Sequence, residues 1–276
     1  MNNAKIRKWV IGDFSLRRIV TSILAIYIIV GVWAYFKSDR LIFLPRPPSY
    51  EKTEDLTFLT TLDGVPIAAL YLPNPTAQYT ILYSHGNAED LGDIRPRLES
   101  LRDIGFSVFA YDYPGYGLSG GTPSVAGAYQ AIEAAYYYLT QVLQVPPERI
   151  IVYGRSVGSG PSTHLAARKL VGGLVIESGF ISTFRVVTRI PIFPFDRFPN
   201  LANLQNVEVP VLIIHGDRDR VIPFDHGQRL YDDFAGPKMS LWVEGAGHND
   251  VLEVAGDRYV ETLLKFTEML SKKSDD

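Results

Sequence analysis

At 276 residues, with 46% apolar content, no cysteine and a formal charge of −3, the chain has material for one large core or two modest ones. Without cysteine it makes no disulfide, thiolate nucleophile, cysteine-ligated metal site or palmitoyl anchor. The charge is uneven, +4 over residues 1–18 and −7 over the remainder, which argues against nucleic acid as a partner of the large part of the chain.

The basic segment, residues 1–18, carries Lys5, Arg7, Lys8, Arg17 and Arg18, and it runs directly into IVTSILAIYIIVGVWAYF, residues 19–36, which hold no formal charge. As a helix rising ~1.5 Å per residue this stretch is roughly 27 Å long, about the thickness of a bilayer's hydrocarbon core. Trp33 and Tyr35 near its end suit an aromatic interface belt. The segment reads as an uncleaved single-pass anchor. A signal peptide has a shorter apolar run and a small-x-small cleavage site, whereas bulky AYFKSDR follows here; a buried core helix more often carries a polar stripe. Five basic residues precede the span, and Lys37, Arg40 and Arg46 follow it, a bias that predicts a cytoplasmic N-terminus and an exoplasmic main domain.

Residues 37–55, including LIFLPRPPSYEKTED, read as a linker whose prolines disfavour helix. The main domain is expected over 56–276. LTFLTT and PIAALYL, on either side of Asp63-Gly64, predict an antiparallel hairpin. Short apolar runs then alternate with stretches at helical spacing: YTILYS before LGDIRPRLESLRDIG, FSVFAY before a helix over about 124–143, RIIVYG before a helix past Ser156, then GGLVIES, VLIIHG and SLWVEG, with a last helix to about Leu270. Repeated strand-then-helix units predict an α/β fold, a mostly parallel sheet with helices on both faces. A Phe- and Pro-rich insertion at about 180–207, FISTFRVVTRIPIFPFDRFPN within it, interrupts the alternation.

Catalytic groups of an open parallel sheet gather at the carboxyl ends of its strands. There, VYGRSVGSG sets Ser156 between Gly154 and Gly158. A serine on an abrupt strand-to-helix turn is held in a strained conformation that projects its hydroxyl, and glycines on either side allow the strand and helix to crowd together. The alternative is an ordinary glycine-bracketed turn.

A serine hydroxyl needs a base that takes its proton during attack. His248, in VEGAGHND just past the last predicted strand, is the candidate. His85 and His215 end strands in His-Gly pairs and read as turn-shaping residues, His164 lies within a helix, and His226 sits near a helix start. A carboxylate must orient that base. GDRDRVIP offers Asp217 and Asp219, and Asp219 lies farther into the loop. Asp250 is too near His248 in sequence and, with Asn249, reads as a helix cap. The chain order Ser156, Asp219, His248 is that of an α/β-hydrolase. Donors for an oxyanion are expected from the backbone N–H of Asn87, in SHGNAEDLG, and of Val157; the bland reading of HGN is a tight turn.

The segments SHGNAEDLG, YDYPGYGLSGG, YGRSVGSGP, LIIHGDRDRVIP and LWVEGAGHND resemble the α/β-hydrolase superfamily, in the branch of membrane-associated serine hydrolases that includes eukaryotic protein depalmitoylases. The resemblance runs from about Leu41 to Leu270. It implies an eight-stranded core, cleavage of an ester or thioester through an acyl-serine intermediate, and neither metal nor organic cofactor. The depalmitoylases carry an N-terminal cysteine cluster that is lipidated; this chain has a hydrophobic span instead and is more similar to the transmembrane-anchored members.

The insertion sits where these hydrolases place a lid. Phe180, Phe184 and Phe193, with Tyr116 of YDYPGYGLSGG, are the candidates to contact a lipid-like acyl substrate; the same aromatics equally suit core packing. The leading expectation is therefore a membrane-anchored esterase or thioesterase. A peptidase or amidase on the same triad and a catalytically silent binding module are the alternatives.

Overall fold

A computed structural model describes residues 16–273; Lys5, Arg7 and Lys8 of the basic segment lie outside the described residues. The chain divides between Leu41 and Ile42 into two units. The first is nearly all of helix α1 (Leu16–Ile42), which continues past the predicted span: Lys37, Asp39 and Arg40 lie in helix, not in linker. By length and composition it is able to cross a membrane. Many of its apolar side chains, among them Ile23, Leu24, Ile26 and Ile29, are more than half exposed.

The second unit is built on eight strands: β1 (Leu56–Thr60), β2 (Pro66–Leu72), β3 (Thr80–Ser84), β4 (Ser107–Tyr111), β5 (Ile150–Arg155), β6 (Gly173–Glu177), β7 (Val211–Gly216) and β8 (Lys238–Val243). They form one sheet in the order β1-β2-β4-β3-β5-β6-β7-β8. β1 and β2 pair antiparallel, β2 meets β4 antiparallel, and every other pairing is parallel. The predicted hairpin and the mostly parallel sheet are both present.

Consecutive side chains of a strand point to opposite faces, so each central strand feeds two cores. Leu82 and Val152 pack in one, with Phe109, and Ile81, Tyr83 and Tyr153 in the other. Helices cover both faces, which is why strands such as TILYS, SVFAY and VLIIHG are buried throughout and read as continuous apolar runs without alternation.

The helices are α2 (Leu91–Ile104), α3 (Val125–Tyr137), α4 (Ser159–Ala166), α5 (Thr183–Thr188), α6 (Asn200–Leu204), α7 (Phe224–Asp233), α8 (Val251–Ala255) and α9 (Asp257–Lys273). In α2, Leu91, Ile94, Leu98 and Leu101 make the buried stripe, and Asp90 with Asp93 closes a capping box at its start. In α3, Ala128, Ala131, Ile132 and Ala135 are buried, the three alanines letting the helix lie close to the sheet. The helix expected to end near Leu270 is broken at Gly256, whose φ of 52° separates α8 from α9.

The opening segment of this unit is fastened at several points. Phe43 is buried against Tyr113, Tyr116 and Phe198, Ser49 donates to Asp90, and the Tyr50 hydroxyl donates to Asp112.

Candidate active site

β5 ends at Arg155 and a short 3-10 turn, Ser156–Gly158, leads into α4. Ser156 has φ of +53°, a left-handed conformation that a non-glycine residue adopts at a cost of order 1–3 kcal/mol. The glycines around it are required by contact: a Cβ on Gly154 would meet the Gly158 carbonyl oxygen at 2.4 Å, and one on Gly158 would meet that of Ser84 at 2.1 Å. The turn is pressed onto the end of β3, so no side chain fits at either position.

The loop after β8 carries His248, and the loop after β7 carries Asp219. His248 Nε2 is 3.0 Å from Ser156 Oγ, and His248 Nδ1 is 2.7 Å from Asp219 Oδ2. The three side chains named from the sequence thus stand in one line of hydrogen bonds. Ser156 and Asp219 are both buried at 7% exposure.

Asp219 Oδ1 accepts the backbone N–H groups of Val221 and Ile222. Burial pushes this carboxyl upward, but His215, His248 and the backbone of Ile222 together hold it far below the ordinary carboxylate range.

The other histidines are engaged structurally. His85 Nδ1 contacts the Gly86 carbonyl and its Nε2 lies 3.3 Å from Asp112. His215 Nε2 contacts the Ile222 carbonyl, His226 Nδ1 accepts from Ile181 N–H, and His164 stacks on Tyr129 at 3.7 Å between centroids. Asp217 Oδ1 accepts Gly245 N–H. The cap expected of Asn249 and Asp250 is not made: Asp250 accepts Gly247 N–H within the loop, and Asn249 Oδ1 accepts from Arg155 at the end of β5.

The Asn87 and Val157 N–H groups have no hydrogen-bond acceptor among the described residues. The Asn87 side chain is engaged at both ends: Nδ2 donates to Ile42 O, while Oδ1 accepts from Leu44 N–H, Ala88 N–H and the Tyr116 hydroxyl. Sequence reasoning named Asn87 for its backbone and missed this side-chain role, which depends on a segment 43 residues away.

Ser156 and His248 open onto a cavity of about 540 Å³ with polar walls, lined by Arg46, Asn87, Glu89, Arg97, Arg155 and Asn249 among others. The four aromatic candidates are not among its lining residues. Tyr116 and Phe180 are buried in the core at 1% and 3% exposure. Phe184 and Phe193 pack with Phe195 at centroid distances of 5.4–6.2 Å, a small cluster within the insertion.

The model of the alpha/beta hydrolase fold matches residues 79–203. Human alpha/beta hydrolase domain-containing protein 17B is 42% identical over 239 residues, 85% of this chain and 82% of the relative. The chain belongs to the α/β-hydrolase superfamily. The Caenorhabditis elegans alpha/beta hydrolase domain-containing protein aho-3 is 37% identical to this hydrolase over 265 residues, covering 84% of this chain and 77% of that one. Among solved structures the fold matches the Pyrococcus furiosus esterase Pf2001 at a TM-score of 0.68 and 21% identity, over 83% of this hydrolase and 99% of the esterase. The hydrolase is a serine hydrolase by family, and the line from Ser156 through His248 to Asp219 is the arrangement in its fold that fits such chemistry.

Proposed function

We propose that the protein is a membrane-anchored serine hydrolase that cleaves a carboxylic ester or thioester of a lipid-like acyl substrate through an acyl-serine intermediate. The observation that carries this reading is the pair of contacts on the His248 ring, 3.0 Å to Ser156 Oγ and 2.7 Å to Asp219 Oδ2.

In this mechanism Ser156 Oγ attacks the acyl carbon while His248 Nε2 takes its proton, and Asp219 holds the Nδ1–H tautomer and stabilises the imidazolium. The negative oxygen of the tetrahedral intermediate is received by the N–H groups of Asn87 and Val157. His248 then returns the proton to the leaving alcohol or thiol. Water, deprotonated by the same ring, releases the acid and restores Ser156.

The charged lining of the cavity favours the hydrophilic side of such a substrate. The insertion at about 180–207 acts as a short lid, and the basic bias before the span supports a cytoplasmic N-terminus with the hydrolase unit exoplasmic.

The test uses the full chain in detergent micelles with p-nitrophenyl acyl esters and a fluorophosphonate probe. Wild type is expected to turn over the esters and to be labelled, and Ser156→Ala to do neither. Labelling that survives in Ser156→Ala removes that serine from its role. Protease access to the hydrolase unit in sealed vesicles tests the orientation.

A further inference from the structure

The residue before the proposed nucleophile is an arginine whose side chain turns inward. Arg155 is 5% exposed. Nη1 donates to both carboxylate oxygens of Glu89, at 2.9 and 3.1 Å, and Nη2 donates to the main-chain oxygen of His248 at 3.2 Å and to Asn249 Oδ1 at 2.7 Å. Glu89 in turn accepts Gly86 N–H. One planar fork therefore binds the loop after β3 on one side and the loop after β8 on the other, with Ser156 next to it in the chain.

Burying a guanidinium is tolerated only where opposite charge compensates it. Here Arg155 and Arg97 face two carboxylates, Glu89 and Glu177: Arg97 Nη1 is 2.8 Å from Glu177 Oε1, and Arg155 Nε lies 3.5 Å from the same oxygen. Tyr153 and Tyr259 donate to the other oxygen of Glu177. Burial alone would raise the Glu177 carboxyl; Arg97 and Arg155 hold it below the usual carboxylate range.

Loops at a sheet edge move unless something fastens them, and a misplacement of about 1 Å in a reacting group costs on the order of 100-fold in rate. We infer that Arg155 is a positioning residue: its guanidinium fixes the separation between the loop bearing His248 and the loop bearing Asn87, one on each side of Ser156. This rests on the functional reading above. Arg155 is not one of the three groups in the proton line, and its contact with the base is to the backbone of His248, not the ring. A lysine keeps the charge but lacks the fork, so charge and geometry are separable.

The experiment compares the full-length wild type in detergent micelles with Arg155→Lys, Asn249→Ala and the double variant. Fluorophosphonate labelling counts folded active sites, and kcat and KM are measured separately on p-nitrophenyl acetate. Arg155→Lys is expected to lose about 10- to 100-fold in kcat per labelled site with KM unchanged. Asn249→Ala should lose less, and the double variant should be no worse than Arg155→Lys, because both changes release the same loop.

Wild-type kcat per labelled site in Arg155→Lys overturns the inference. If that variant does not fold, wild-type kcat in Asn249→Ala does so. Losses that multiply in the double variant, or a loss confined to the fraction of labelled sites, also overturn it. A wild type that takes up no probe overturns the functional reading and this one with it; a labelled wild type beside unaltered variants overturns this one alone.

Discussion

Asp219 Oδ2 lies 2.7 Å from His248 Nδ1, while Asp219 Oδ1 is held by the backbone of Val221 and Ile222. The carboxylate is thereby fixed at one end and aimed at the ring with the other. Asp219→Asn keeps the volume but replaces an acceptor with an amide that can favour the wrong imidazole tautomer. The expected outcome is a fall in kcat of about 10⁴-fold, as measured by ester turnover.

Gly158→Ala introduces a methyl group where the Ser84 carbonyl oxygen stands 2.1 Å away and the His85 carbonyl oxygen 2.7 Å away. Both neighbours are backbone, one of them in β3, so neither gives way as a side chain would. The substitution is expected to destabilise the hydrolase unit by about 3 kcal/mol and to displace Ser156 from His248. Urea denaturation and fluorophosphonate labelling rate would read the two effects; a variant with wild-type values in both refutes the close approach.

Glu177 is fully buried at the end of β6 between Arg97 and Arg155. Glu177→Gln leaves two guanidiniums facing one remaining carboxylate, Glu89. Breaking a buried pair by removing one charge costs about 3–5 kcal/mol, and a loss of that size in unfolding free energy is the expected outcome by urea titration.

His164 lies between α3 and its own helix, stacked on Tyr129. Burial and then the nearby Arg168 lower its pKa to about 4. An unfolded chain takes up the proton near pH 6.5, so this depressed pKa contributes stability that is fully present above pH 6.5 and lost as pH falls toward 4. The loss is at most about 3 kcal/mol. The thermal midpoint of wild type should fall more steeply across this interval than that of His164→Gln, and parallel curves would contradict the assignment.

Much of the fold was legible because it is periodic. A strand covered on both faces is apolar along most of its length, so TILYS, SVFAY and VLIIHG announce themselves, and α3 shows its buried stripe in Ala128, Ala131, Ile132 and Ala135. The end of α1 was less legible. Lys37 and Arg40 break the apolar run but not the helix, since charged residues of good helix propensity continue a helix they do not initiate.

At the site, sequence alone determined the local requirements: a serine bracketed by glycines after a strand, and a carboxylate and an imidazole each just past a later strand. Those are readable because turn geometry depends on neighbours in the chain. Tertiary structure decided which groups meet. It set His248 against Ser156 from 92 residues away, joined Asn87 to Ile42, and turned Arg155 onto Glu89 and Asn249. It also sent Phe184 and Phe193 into their own cluster and left the cavity beside Ser156 polar. A side chain's partners at such separations follow from how strands are ordered in the sheet and how loops pack over its edge, and no spacing along the chain encodes that.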